Sequence, residues 1–389
     1  MKLIGTGDDH FDEASPRWDE CVRVHSWIAD LVEGERPDVF LDGGDIYERA
    51  STPRERAAVA DWLTRIAQVC PVVITKGNHD RSRDLELLGR LKTRHPITVV
   101  EDARVVYVAG AAIACVAWPD RAQLLAQALE HGADGDDLAQ SALRAVLAGL
   151  GAELAAHRGP RIGLGHFMVD GSITSVGQPL VGHAMNVGLA DLGLLGADIT
   201  LMSHIHAPQE WIWNGCPIAY LGSPYRTSYG ETEQKSVMLA TIDRVLGREH
   251  ARLDFQRVPT PCAGMVLIQD EWDPSEPGGW AVGDGVPAEC VGAEVRFRYA
   301  VDADQRSAAR AAAEQLASGL LAAGALAVKL DERVRPTTRA RAPEIAQATT
   351  LADKMAALWN ARGTTPEPER AARLQVMAAE LEEEATRAA

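Results

Sequence analysis

At 389 residues the chain can form two or three domains with a well-buried core, and its 46% apolar composition excludes a disordered or fibrous protein. A formal net charge of −16 excludes a protein that grips a polyanion through its overall field, so any nucleic-acid role must be reconciled with it. The longest apolar run, "LASGLLAAGALAV", is broken by glycines and too short to span a bilayer, which predicts a soluble cytoplasmic chain with no membrane partner.

The first two-thirds alternates short apolar runs with amphipathic stretches, as in layered α/β folds. "KLIGTG" reads as a strand. The stretch after Pro16 reads as a helix with Cys21, Val24, Ile28 and Leu31 on one face. "DVFLDGGD" and "PVVITKGNHD" are the next strands, separated by a helix that Ser51 or Thr52 caps, with Pro53 in its first turn. "RVVYVAG" and "AAIACVAW" suggest a hairpin, with Trp118 and Pro119 packed beneath the sheet; helices are expected over residues 120 to 156. "RIGLGHF", "ITLMSHIH", "PIAYLGSP" and "SVMLATID" supply later strands.

After about residue 258, "GAEVRFRYAV", an Ala-rich helix over residues 304 to 323, and "LAVKLDERV" make a small α+β unit. Two amphipathic helices follow Pro336. One carries Leu351, Met355, Leu358 and Trp359 and stops near Gly363; the other carries Leu374, Met377 and Leu381. Two helices cannot bury both stripes alone, and the "RPTTRARAPE" linker favours a partner's groove over the chain's own core. The expected domains are 1–258, 259–335 and 336–389. Six cysteines lie far apart with no CxxC pair, so reduced, partly buried thiols are expected and neither a zinc ribbon nor a disulfide framework is signalled.

Polar residues interrupt the strand ends in a recurring way. They are Asp8 with His10 in "GDDHFD", Asp45 in "GGD", Asn78 and His79 in "GNHD", His166 in "GLGHF", and His204 with His206 in "SHIH". In extended chain, residues two apart point to the same side, so Asp8 with His10, and His204 with His206, can each offer two ligands to one point. Strand ends of a layered α/β fold converge in a crevice. A DxH or an HxH alone occurs by chance; the ordered series, each member closing an apolar run, does not. Imidazole, carboxylate and amide donors without thiolate suit manganese, iron or zinc. Leaving His79 aside, the seven donors are too many for one tetrahedral ion and suit two ions roughly 3.5 to 4 Å apart that share a carboxylate.

These blocks resemble the signature of the calcineurin-like metallophosphoesterases: D-x-H, G-D, G-N-H-D/E, H and G-H-x-H. Ser203 stands where that signature usually has glycine, a small enough residue to be tolerated. The resemblance implies a layered α/β/β/α sandwich, a small α+β capping domain and C-terminal helices. It assigns one ion to Asp8, His10, Asp45 and His206 and the other to Asp45, Asn78, His166 and His204, with Asp45 bridging. His79 would then face the scissile phosphate as a catalytic residue, and Asp80 would hydrogen-bond its imidazole and keep it a proton donor. The implied reaction is phosphoester hydrolysis by a water acidified between two divalent cations.

A narrower resemblance follows. "YLGSPYRTSYGETEQKSVMLATID", with Gly222, Ser223, Pro224, Arg226, Thr227, Ser228 and Gly230 ahead of a strand, is similar to the block after the last metal histidines in SbcD-type repair exonucleases. It implies a homodimeric, manganese-dependent exonuclease and endonuclease in DNA repair and recombination. Magnesium, iron or zinc are the alternative ions. The implied partners are DNA, as duplex ends, hairpins and single strands, and an SbcC-type ABC ATPase that the terminal helices would bind. Rival readings are a small-molecule phosphodiesterase of the same superfamily, acting on cyclic nucleotides or nucleotide esters, and a non-catalytic scaffold. Six histidines fall outside the blocks. His25, His95, His131, His157 and His250 read as surface or packing residues; His183, in a Gly-rich loop between two ligand blocks, reads as a plain loop histidine ahead of one that approaches substrate.

Overall fold

A computed structural model describes residues 1–119, 138–175, 186–244, 251–282, 287–335, 345 and 347–388. Strand β1 (Lys2–Thr6) is followed by α1 (Trp18–Glu35), β2 (Val39–Asp42), α2 (Pro53–Ala67), β3 (Val72–Thr75), α3 (Ser82–Gly89) and β4 (Ile97–Val100). Next come the hairpin β5 (Ala103–Val108) and β6 (Ala111–Val116), α4 (Leu138–Ala156) and β7 (Arg161–His166). A two-residue pair, β8 (Met168–Val169) and β9 (Asn186–Val187), and the short α5 (Leu189–Leu192) lead to β10 (Ile199–Ser203), β11 (Gln209–Trp213), β12 (Cys216–Tyr220), β13 (Ser236–Asp243) and β14 (Arg252–Pro259).

Two six-stranded sheets result. The first has the order β14-β13-β1-β2-β3-β4, and the second β11-β12-β10-β7-β6-β5. The strands that carry the signature blocks run parallel inside each sheet: β1 with β2 and β2 with β3 in one, β7 with β10 in the other. Their carboxyl ends therefore open to one edge of the fold.

Period-two alternation explains the layering. Leu3, Val39, Leu41 and Val73 turn inward to meet Ile113, Ile162, Leu164 and Leu201 of the second sheet, forming an apolar slab between the sheets. The alternate residues Ile4, Phe40, Val72 and Ile74 face outward against Val24, Ile28, Val59, Leu63 and Ile66 of α1 and α2. On the other side, Leu143, Leu147 and Leu154 of α4 cover Ala112, Ala114 and Met202. The central strands of both sheets are thus buried on both faces, which is why they read as continuous apolar runs. This is the α/β/β/α sandwich that the sequence predicts.

Local signals set the helix ends. Thr52 caps α2 by accepting from Glu55 N while Glu55 reaches back to Thr52 N, with Pro53 in the first turn. Arg36, left-handed at φ 48, ends α1. On α1 the buried face includes Cys21, Val24, His25, Ile28 and Val32, and Leu31 sits at its half-buried margin. The expected helices over 120–137 lie outside the described residues, as do His131, His183 and His250. All six cysteines are free.

Downstream, β15 (Gly264–Glu271), β16 (Ala293–Asp302) and β17 (Ala327–Arg335) form a sheet in that order, with α6 (Arg306–Ala322) between the last two strands in sequence. The terminal helices are α7 (Leu351–Arg362), ended by left-handed Gly363, and α8 (Pro368–Ala388). The chain resolves into two compact units. One comprises Met1–Asp270, Val282–Arg298 and Ala313–Asp331; the other comprises Glu271–Ala281, Tyr299–Ala312 and Glu332–Ala389. The first unit has, besides the sandwich, a small cluster of Cys290, Val295, Leu320 and Ala325. In the second, Trp280 stacks edge-on with both Trp272 and Tyr299. There α7 packs on α8, yet no α7 residue is fully buried, and Leu351, Val376, Met377 and Leu381 stay exposed. No helix among the described residues is long and apolar enough to cross a membrane.

Candidate metal centre

The loops leaving β1 and β2 are zipped together by Asp8 N to Gly44 O, His10 N to Asp45 O and Phe11 N to Ile46 O, at 2.8 to 2.9 Å. This pairing brings Asp8, His10 and Asp45 to one spot although more than thirty residues separate the two loops. Asp8, His10, Asp45 and His204 all have positive φ, from 43° to 101°. Left-handed backbone at non-glycine residues costs of order 1 kcal/mol or more each and persists where the surroundings over-determine it. Four such residues in one place mark a site held in shape by the rest of the fold.

Two groups of donors face each other there. Asp8, His10 and His206 offer ligand atoms that all lie within 4.8 Å of one another, as do Asp45, His166 and His204. His10 Nε2 is 3.1 Å from His206 Nε2. Asn78 Oδ1 lies 3.0 Å from both His166 Nε2 and His204 Nδ1, which joins the amide to the second group. Asp45 Oδ2 is 3.2 Å from His166 Nε2, and its Oδ1 accepts from His79 N at 2.8 Å. Each group draws on both sheets: Asp8, His10, Asp45 and Asn78 come from the first, and His166, His204 and His206 from the second. All seven donors expected from the sequence are brought together.

The donor chemistry fits divalent cations. Neutral imidazole, carboxylate and amide oxygen, gathered closer than their own charges favour, are what ions with bonds of roughly 2.1 Å require. The electrostatics record that crowding. Burial raises the Asp8 pKa. Burial also opposes ionisation of Asp45, but His166 overrides it and holds that carboxyl well below the usual range. Burial disfavours charge on His166, yet Asp45 pushes its pKa up to about 9. Burial and the neighbouring His166 bring His204 down to about 3, and burial with His10 lowers His206. Neutral His204 and His206 have lone pairs to give.

Above the donors opens a cavity of about 360 Å³, lined by His10, Asp45, Asn78, His204 and His206, with His79 at its wall. Asp8 and His166 lie fully buried behind them. His79 is about one-third exposed, and its Nδ1 sits 2.8 Å from Glu48 O, leaving Nε2 for the cavity.

Two expectations need correction. Asp80 does not hydrogen-bond His79. Its Oδ2 accepts from Asp45 N at 2.8 Å and Gly77 N at 3.0 Å, and its Oδ1 from Tyr47 N at 3.2 Å, so it is a buried clamp on two loops. Trp118 does not pack beneath the sheet: its ring centroid is 4.8 Å from that of His204 and 6.0 Å from that of His166, at the centre itself. His25, expected at the surface or in packing, takes the packing role, and a specific one. It is buried with Nε2 2.9 Å from Asp9 Oδ1 and Nδ1 2.7 Å from Cys21 O, supporting the loop that carries Asp8 and His10.

Sequence reasoning missed other cavity residues. Glu48, Arg49, Asp12 and Ser15 line one side, and Tyr225, Thr227, Ser228 and Glu231 the other. Behind the second wall Lys235 is fully buried, 2.6 Å from Glu231 Oε2, 2.8 Å from Glu233 Oε1 and 2.8 Å from Ser223 Oγ. Ser203 fits at its unusual position because Gly7 and Gly43 leave room: a Cβ on either would lie 2.2 or 1.9 Å from Ser203 Oγ.

Residues 1–208, which include every donor, match the family model of the calcineurin-like phosphoesterases. The chain belongs to that family. Calcineurin-like phosphoesterases work with a dinuclear divalent metal site, and this member, with its grouped histidines and aspartates, is a metal-dependent phosphoester hydrolase. Similar solved structures include a dimetal phosphatase from Danio rerio, 12% identical over 67% of this chain and 97% of that one (TM-score 0.42). The protein TT1561 of Thermus thermophilus is 13% identical over 66% and 98% (0.39), and an archaeal phosphodiesterase 10% over 66% and 100% (0.32). At these identities and overlaps they say nothing of its substrate.

Proposed function

We propose that this calcineurin-like phosphoesterase is a DNA nuclease of SbcD type, cutting phosphodiesters at duplex ends, hairpins and single strands with two divalent ions, manganese foremost. The observation that carries the hydrolytic reading is the convergence of seven donors from both sheets under one cavity with His79 at its wall. Asp8, His10, Asp45 and His206 would hold one ion and Asp45, Asn78, His166 and His204 the other. When bound, such ions acidify a water and neutralise phosphate oxygens.

The chain's own residues do the rest. In its doubly protonated form His79 donates Nδ1–H to Glu48 O and presents Nε2–H to the leaving oxygen, which takes that proton and leaves a neutral ring. Asp80 holds the Asp45 and Gly77 backbones so that the carboxylate and His79 keep their separation. Support for DNA over a small phosphoester comes from the "GSPYRTSYGE" segment, whose Tyr225, Thr227, Ser228 and Glu231 form one wall of the cavity. The overall charge of −16 is reconciled by the ions and by a partner ATPase, docked on α7 and α8, that contributes phosphate contacts. Homodimer formation belongs to the same reading.

The test is manganese-dependent turnover of linear duplex and hairpin DNA beside cyclic mononucleotides, for wild type and His79→Ala, with and without a candidate ATPase. DNA cleavage that His79→Ala abolishes is expected. Efficient turnover of cyclic mononucleotides with inert DNA refutes the nuclease reading.

A further inference from the structure

Glu48 lies three residues beyond Asp45, where no signature block reaches. Its main chain is pinned on both sides: Glu48 N donates to Phe11 O at 3.4 Å, next to His10, and Glu48 O accepts from His79 Nδ1 at 2.8 Å. Its half-buried carboxylate places Oε2 2.7 Å from His10 Nδ1 and Oε1 3.7 Å from His79 Nδ1. The approach to His10 is close but off the ring's N–H axis, so the carboxylate acts through its charge as well as its lone pair. The two rings meet edge to face, centroids 5.1 Å apart.

A neutral imidazole has one N–H and one lone pair, and an ionised carboxylate can only accept. A carboxylate at Nδ1 therefore keeps the proton there and leaves the lone pair on Nε2, the atom that faces His206. On this basis, and resting on the two-ion reading above, we infer that Glu48 is a positioning residue that selects the metal-binding tautomer of His10. Partners of this kind change metal affinity by roughly 10- to 100-fold when removed. His79 is held by the Glu48 main chain, so side-chain substitution leaves that hydrogen bond in place; because it also removes a carboxylate 3.7 Å from His79 Nδ1, the metal effect is read from binding and not from turnover.

The experiment is calorimetric titration of the metal-free full-length chain with Mn²⁺, for wild type, Glu48→Ala and Glu48→Gln, alongside thermal unfolding of the metal-free forms. Wild type should take up two ions. Glu48→Ala should weaken one of them by about 10- to 100-fold, leave the other within about twofold, and unfold at a similar temperature without metal. Glu48→Gln, which keeps an acceptor but not the charge, should recover part of the loss. Two wild-type affinities in Glu48→Ala overturn the inference. If wild type binds no ion, the two-ion reading fails and takes this inference with it.

Discussion

Replacing Asp80 separates a backbone clamp from a catalytic partner. Its carboxylate is the acceptor for the buried N–H groups of Asp45, Gly77 and Tyr47. Asp80→Ala leaves all three unsatisfied, at about 1 kcal/mol or more each, so a loss of about 3 kcal/mol is expected, roughly 150-fold in the folding equilibrium. Asp80→Asn retains one carbonyl oxygen, enough for the Asp45 and Gly77 donors, and turns its NH₂ towards Tyr47 N; about 1 kcal/mol is expected. Urea unfolding of the metal-free variants measures both, and steady-state hydrolysis of a model phosphodiester across pH reports on His79. If Asp80→Ala unfolds within about 1 kcal/mol of wild type yet displaces a limb of the pH–rate profile, the clamp is wrong and Asp80 acts on His79 after all.

Five further outcomes are expected. Lys235→Met strands the Glu231 carboxylate in the wall of the cavity and takes away the partner of Glu233 as well, and should cost about 3 to 5 kcal/mol by denaturant titration. Burial opposes ionisation of Glu233, but Lys235 overrides it and holds that carboxyl below its ordinary value of 4.5. Its contribution is therefore complete above about pH 4.5 and lost as pH falls below, a slope that Glu233→Gln should remove from the acid limb of stability. Gly77→Ala puts a methyl 2.1 Å from Asp45 Oδ1 and 2.5 Å from Asp45 N, so turnover of a model phosphodiester at saturating manganese should drop by about 100-fold. Deleting residues 345–389 should leave that turnover intact and abolish co-elution with the ATPase, and the isolated chain should bind DNA only weakly in mobility-shift titrations at physiological salt.

Much of the sandwich is legible in the sequence because its central strands are buried on both faces, and a doubly buried strand leaves an unbroken apolar run ending in polar residues. The edge strands β11, β14 and β15 escape notice: "QEWIW" and "RLDFQRVP" alternate exposed and half-buried positions and so resemble irregular chain, although the Asn214-Gly215 turn after "QEWIW" is a hairpin signal. Helix α3, starting just after the GNHD block, is too short for its period to stand out. The donors are legible for a related reason, since each closes a recognisable strand. The residues around them are not. Asp80 reaches loops 33 and 35 positions upstream, and its proximity to His79 in sequence points the wrong way. Trp118 closes an apolar strand and reads as core, though its ring lies against the histidines. Glu48 sits in an exposed-looking run, "YERA", with nothing local to set it apart.

Neither donor group belongs to a single sheet, and this has a mechanical consequence. A cation seated in either group would rivet the two halves of the sandwich at the edge where their apolar slab ends. Metal uptake should therefore do more than arm the chemistry: it should fasten the seam, adding stability that grows with the logarithm of free cation over its dissociation constant. Chelation would then be felt first as faster amide exchange along β1 and β10, before any helix loosens.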